Sequence, residues 1–320
     1  MLNRRVLRIK VMQALYAFFQ SDNDRVDVAV RNLQKNIYGI YNLYIYQMSF
    51  LIEIVDFARE TIEIKKNKYF PTQEEANPNT RFVNNSIILK IENSPDFKRK
   101  HEELKINWAD QEVLIRKTYQ QITEADFFQA YMKNQEDSSD NDFRVLEQIV
   151  DTFIAENEAL QQYFEDINVF WADDFDVACF MLVKSLKYLK NSTEKNPFLP
   201  TLFGNQQGDD EKEEIKFLTA LFSKTVMHRD EFDDLIEARV DNWEIDRIAL
   251  MDSLLIKMAL AEFTEFPTIP TKVTINEYIE ISKIYSTPKS KIFINGLLDK
   301  LLFELTEKKK IKKSGRGLIG

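Results

Sequence analysis

The sequence predicts an all-α protein, and three observations carry the prediction. Glycine and proline together number 15 among 320 residues, far below average usage, which favours long helices over sheets and tight turns. Apolar residues recur every three to four positions through long windows, as they do on the buried face of a helix. Turn-forming clusters are confined to a few places, chiefly 70–80 (FPTQEEANPNT), 134–142 (NQEDSSDND) and 190–214 with Pro197, Pro200, Gly204 and Gly208.

Residues 3–20 form an amphipathic helix with Leu7, Val11, Ala14 and Phe18 toward a core. Arg5, Met12 and Tyr16 fall on a separate flank with Arg8 beside them. A basic residue aligned with an aromatic one suits a base stacked near phosphate contacts. Residues 37–58 are apolar nearly all round and include Tyr38, Tyr41, Tyr44 and Tyr46. Asn42, Gln47, Glu53 and Asp56 inside that stretch argue for a buried helix, or one face of a protein-partner site, over a membrane span. No Lys or Arg lies between Lys35 and Arg59, so this is no platform for nucleic acid. Further helical patterns run near 82–92, 108–133, 143–165, 174–189, 212–228, 230–241 and 246–263.

The stretch 270–305 reads as two helices and a hinge. Thr274 followed by Glu277 has the spacing of a capping box, in which hydroxyl and carboxylate satisfy the free N–H groups of a helix start. Ile275, Tyr278, Ile279 and Ser282 share one face, and Pro288 closes the segment. A second helix starts at Ser290, with Phe293, Ile294, Leu297, Leu298, Leu301, Leu302 and Leu305 as its apolar stripe. Gly296 interrupts that stripe at a cost of about 1 kcal/mol against alanine, which predicts a close approach to the backbone by a neighbouring helix or a ligand.

The net charge of −9 is unevenly spread. Residues 1–20 carry +4, residues 270–300 carry +2 and the tail 308–320 carries +6, while residues 21–269 carry −19. A polyanion is therefore attracted to the two ends and repelled by the middle. Cys179 is the sole cysteine, which excludes a disulfide framework and suits a reducing cytoplasm. Arg4, Arg5, Arg8 and Lys10 interrupt any signal peptide.

Catalysis finds no support. The chain has no Gly-rich phosphate loop and no H-E-x-x-H motif, and neither His101 nor His228 follows a Glu at the spacing of a di-iron bundle. The acidic clusters Asp173, Asp174, Asp176 and Asp209, Asp210, Glu211, Glu213, Glu214 fit helix starts and solvated loops. No enzyme, cofactor or metal is expected.

Several segments resemble one family. Val273-Thr274-Ile275-Asn276-Glu277, Ile281-Ser282-Lys283 and Phe293-Ile294-Asn295-Gly296-Leu297-Leu298-Asp299 resemble the end of the transcription antitermination factor NusB. Ile256 to Phe263 and Ile269-Pro270-Thr271-Lys272-Val273 continue the likeness upstream, and Arg4-Arg5, Arg8 and Gln13-Ala14-Leu15-Tyr16 resemble the family's arginine-rich first helix. The likeness implies a NusB-like helical bundle and binding of the boxA segment of ribosomal-RNA leaders. It also implies two partners, the small-subunit ribosomal protein that doubles as NusE and the RNA polymerase antitermination complex. Carried over by position, Arg4, Arg5 and Arg8 would hold phosphates, Tyr16, Phe293 and Asn295 would border bases, and Lys283 and Lys291 would extend the basic rim. Glu262 would face the ribosomal protein, although Ala261 replaces the aromatic residue usual before it. NusB-like domains also occur attached to RNA methyltransferases, but a cofactor-binding Gly-rich segment is lacking here.

The likeness covers residues 1–35 and 211–307 as an RNA-binding core, leaving 36–210 as a helical insertion and 308–320 as a disordered basic tail. The stripe of the first helix then needs partners in the helices carrying Met258 and Phe293. At an offset of 72, Leu146, Ile149, Trp171, Leu182, Val183 and Leu186 align with Leu218, Leu221, Trp243, Leu254, Leu255 and Met258. Pro78 to Asn84 similarly resembles Pro288 to Asn295. Helical spacing alone produces such echoes, so an independent insertion is the reading taken. A rival function is a protein–protein assembly scaffold whose acidic surface binds other proteins, with RNA secondary.

Overall fold

The structure is a computed structural model that describes residues 2–21, 24–134, 136, 138–204, 209–240 and 248–318. Among them are fifteen α-helices and no strand, and no helix is long and apolar enough to cross a membrane. The chain forms two compact units, one of Met1–Leu2 and Tyr38–Gln206, the other of Asn3–Ile37 and Gln207–Gly320.

The second unit is built around α13 (Leu250–Glu265). This helix is apolar on every side, and Leu254 to Phe263 are all buried, because neighbours flank it all round. These are α1 (Arg4–Gln20), α11 (Asp209–Met227), α12 (Arg229–Glu237), α14 (Thr271–Tyr285) and α15 (Ser290–Glu307). Helix α1 lies against α11, α13 and α14, which supplies the expected contact with the Met258 helix, whereas the Phe293 helix, α15, is not among its main neighbours. The buried apolar residues of α1 are Leu7, Val11, Met12 and Leu15. Ala14 and Phe18 are only half-buried, and Met12 has moved from the expected flank into the core. Covered on several sides, α1 buries a wider arc than a two-layer stripe would.

The expected capping box at Thr274 is absent. Helix α14 starts three residues earlier, after Pro270, and Thr274 lies inside it. A capping box does form at Thr72 and Glu75, ahead of the short α3 (Gln73–Ala76), inside a segment read as loop. The hinge before α15 is tied down by Asp252, which accepts hydrogen bonds from the Ser286 and Ser290 hydroxyls, the latter at 2.7 Å.

The first unit takes most of α2 (Val26–Lys66), whose residues Ile40, Leu43, Tyr44, Ile45, Met48, Phe50, Leu51, Ile54 and Val55 are buried. Two of its buried side chains are tied to the helix Phe175–Asn191: Tyr44 donates to Ser185 at 2.9 Å, and the Gln47 amide nitrogen donates to the Phe175 carbonyl at 3.1 Å. Around it stand α4 (Ser86–Asn93), α5 (Pro95–Leu104), α6 (Glu112–Glu124), α7 (Asp126–Lys133), α8 (Ser139–Ile149), α9 (Glu158–Ile167) and α10 (Phe175–Asn191). A π-helical turn, Val150–Ile154, extends α8. The sequence pattern merged α6 with α7 and α8 with α9, because apolar spacing continues across the breaks at Ala125 and Ala155–Asn157. The ends of the patterns 230–241 and 246–263 fall partly on 241–247, outside the described residues.

The segment Pro78 to Asn84, echoing Pro288 to Asn295, serves the fold. Phe82 is buried against Phe128, and Asn85 caps α4 through the Ile87 and Ile88 amides. The Asp142 carboxylate accepts from the Ser86 amide at 2.8 Å and hydroxyl at 2.6 Å, and from Tyr131 at 2.7 Å. That joins α4, α7 and α8.

The tail expected to be disordered is instead bound through residue 317. Lys313 donates to the Glu262 and Phe266 carbonyls at 3.1 and 2.9 Å, and the Ser314 amide donates to the Pro267 carbonyl at 2.9 Å. Gly317 follows so closely that a Cβ there would clash with the Pro267 carbonyl oxygen. The absence of a side chain at Gly317 permits this approach.

Candidate nucleic-acid interface

The basic residues of α1 are held by carboxylates from three neighbouring helices. Arg4 donates from Nε to Glu214 on α11 at 3.1 Å, with its guanidinium 5.0 Å from the Phe217 ring. Arg5 reaches Glu277 on α14 with two bonds of 2.9 Å, which raise its pKa. Both arginines keep a side-chain exposure of 40%, so each retains a solvent-facing edge.

Arg8 differs, and the expectation that it holds phosphate needs correction. Its side chain is 3% exposed and that of Glu262 is 0% exposed. The two form a fork, Nε to Oε1 at 2.6 Å and Nη2 to Oε2 at 2.9 Å. Tyr278 donates to the same carboxylate at 2.8 Å and Thr274 at 3.1 Å. Burial alone would lower the Arg8 pKa, but the Glu262 charge more than offsets it and leaves the group above its ordinary value. Burial and the adjacent carboxylate push Tyr278 well up. Such a cluster is tolerable in a core because each charge is paired and its remaining sites are hydrogen-bonded. Glu262, expected to face a protein partner, therefore points inward and binds α1 to α13 and α14.

Because α1 runs antiparallel to α13, its other end reaches the start of that helix. Tyr16 is 43% exposed and borders a shallow recess with Phe19, Leu250, Ser253, Leu254 and Lys257. From Arg5 to Tyr16 is about 16 Å along the helix axis. The start of α15 is fixed at the same end of α13, by the Ser290–Asp252 bond. One turn further on, Phe293 and Asn295 are half-buried. The Asn295 amide makes one long hydrogen bond, 3.4 Å to Asp299. Lys291 is exposed, and Lys283 is exposed and paired with Glu280. The structure thus brings Tyr16 and the α15 segment to one end of α13, and the Arg5–Arg8–Glu262 cluster to the other.

The family comparison covers much of this unit. A model described as the NusB family matches residues 178–303. Transcription antitermination protein NusB of Salinibacter ruber is 39% identical over 138 residues, which are 38% of this chain and 86% of that protein. The chain belongs to the NusB family. The NusB of Chloroherpeton thalassium is 41% identical over 103 residues, 32% of this chain and 49% of that protein. The NusB of Koribacter versatilis is 38% identical over 110 residues, 34% and 75% of the two chains. No solved structure matches. The NusB match takes in α11 to Phe303 of α15 and reaches back to Ala178 in α10, while α1 lies outside it.

Sequence reasoning missed part of this surface. Ile284 of α14 and Ile292 and Phe303 of α15 are 67%, 73% and 70% exposed, and helical spacing puts Ile292 and Phe303 on the same face of α15 as Gly296. Their signal was present, since Ile292 and Phe303 fall off the apolar stripe of α15. Gly296 itself is exposed, and a Cβ placed there meets nothing within 4 Å. The predicted close approach by a helix of this chain is therefore absent among the described residues. Gly296→Ala is expected to raise stability by about 1 kcal/mol, the helix-propensity difference, measured by urea denaturation. If the glycine admits a ligand, the same variant binds RNA more weakly while melting higher.

Proposed function

We propose that the protein is a transcription antitermination factor that binds single-stranded boxA RNA of ribosomal-RNA leaders. In this reading it acts with the small-subunit ribosomal protein NusE in the RNA polymerase antitermination complex. One observation supports the proposal: in a NusB-family chain, the exposed Tyr16 ring borders the start of α13, the same end at which Ser290 fixes the start of α15 one turn before Phe293. Arg4 and Arg5 contact phosphates with their solvent-facing edges, and Lys283 and Lys291 extend the basic rim. Tyr16 and Phe293 offer rings to the bases, and the Asn295 amide reads a base edge, which phosphate contacts cannot do. Arg8 acts indirectly by fixing the rotation of α1 through Glu262.

The deciding experiment is a titration of boxA-type and scrambled RNA into the full chain, with and without the ribosomal protein. The expected result is a preference for boxA of at least tenfold, strengthened when the ribosomal protein is present. Equal binding of both RNAs under both conditions would reject the proposal.

A further inference from the structure

The two units share a three-helix pattern that exposes, in one of them, a face the other covers. Shifted by 72 residues, α11, α12 and α13 fall on α8 with its π-turn, α9 and α10, with every start and end within three residues. Part of the packing repeats as well: α11 packs on α13 as α8 packs on α10, whereas the packing of α12 on α13 has no equal between α9 and α10. The counterpart of Trp171, Trp243, lies outside the described residues. This agreement of helix ends and packing goes beyond what apolar spacing alone produces.

The repeat breaks at one place. In the second unit α14 runs the length of α13, anchored by Thr274 and Tyr278 on Glu262 and followed by Ser286 on Asp252. In the first unit α10 is followed by residues 192–204, which contain no helix. The consequence shows position by position. Asp252, Leu255, Ile256, Ala259 and Leu260 of α13 are at most 5% exposed. Their counterparts on α10 are Phe180, Val183, Lys184, Lys187 and Tyr188. Phe180 is 52% and Tyr188 is 42% exposed, Lys184 and Lys187 are exposed, and Val183 is half-buried. The rings lie about 12 Å apart on the helix, with Val183 between them.

We infer that this face of α10 is a docking site for an amphipathic helix of a partner protein, seated where α14 sits in the second unit. The charges specify the guest further. The Lys184 ammonium rests 4.4 Å from the Phe180 ring centroid, and Lys187 makes no ion pair among the described residues, so the guest carries carboxylates opposite them. Asp176, exposed in the first turn of α10, calls for a basic residue at the corresponding end of the guest. Apolar anchors at helical spacing would enter between Phe180 and Tyr188, as in other helix-in-groove contacts. The inference is independent of RNA binding.

The test places a photo-crosslinking phenylalanine analogue at Tyr188 of the full chain in cells, with the same group at exposed Lys117 as control. The expected product is one protein, joined through an amphipathic helical segment. That segment, synthesised as a peptide, gains helicity on mixing with the full chain. Phe180→Ser with Lys187→Glu weakens its binding at least tenfold without changing the melting temperature, since both side chains are exposed. Replacing the facing carboxylate of the peptide by lysine restores binding to Lys187→Glu. Crosslinks only to RNA or to a second copy, labelling no stronger than at Lys117, or a peptide indifferent to these substitutions would each overturn the inference.

Discussion

Glu262→Ala is expected to destabilise the protein by about 3–5 kcal/mol, because it leaves the Arg8 guanidinium charged and buried without its partner. Tyr278 loses its acceptor at the same time, while Thr274 keeps the Pro270 carbonyl, and the unsatisfied buried hydroxyl of Tyr278 adds to the cost. Glu262→Gln keeps the shape but removes the charge, so it should fall between wild type and alanine. Replacing both members, Arg8→Met with Glu262→Met, should recover part of the loss, since an apolar pair needs no desolvation of ions. The measurement is denaturant unfolding of the four proteins. A partner-facing Glu262 would behave differently: its alanine variant would fold with wild-type stability and lose only the protein contact. A loss below about 1 kcal/mol, the scale of an exposed ion pair, would therefore reject the buried fork.

The same residues show where the sequence was legible and where it was not. Helix positions followed from apolar spacing, and α10, α13 and α15 lie within a few residues of their patterns, because their burial is one-sided or complete over many turns. Polar residues gave up less. Thr274 and Glu277 have the spacing of a capping box, yet Thr274 serves Glu262 and Glu277 serves Arg5. Spacing reports what can meet within one helix, while ion pairs are decided by partners some 250–270 positions away in the chain. Arg8 looked like its neighbours Arg4 and Arg5 for the same reason, and only the rotation of α1 against α13 separates them. Gly296 and Gly317 erred in opposite directions: the one expected to be crowded is open, and the one assigned to a loose tail lies against backbone. Glycine marks permission for a close approach and does not say which chain uses it.

Removing arginine charge and removing the Asn295 amide should weaken RNA binding in distinguishable ways. Arg4 and Arg5 are each paired with a carboxylate, so a bare alanine substitution would also unmask a repelling charge. Arg5→Ala is therefore combined with Glu277→Gln, and Arg4→Ala with Glu214→Gln. For single-stranded RNA each lost phosphate contact should flatten the log–log salt dependence by about 0.7, and cognate and scrambled sequences should weaken together. Asn295→Ala leaves the charge unchanged and breaks only the 3.4 Å bond to Asp299, so its salt slope and stability should stay near wild type. Its preference for boxA should fall by about 1–3 kcal/mol, the size of a base-edge contact by analogy with DNA readout. Both effects are read from binding of boxA and scrambled RNA across a salt series. If Asn295→Ala alters neither affinity nor preference, the Phe293–Gly296 segment serves the fold alone and base reading lies elsewhere. If instead the arginine pairs leave the slope untouched, α1 does not touch the phosphates, and the exposed Lys283 and Lys291 become the residues to test.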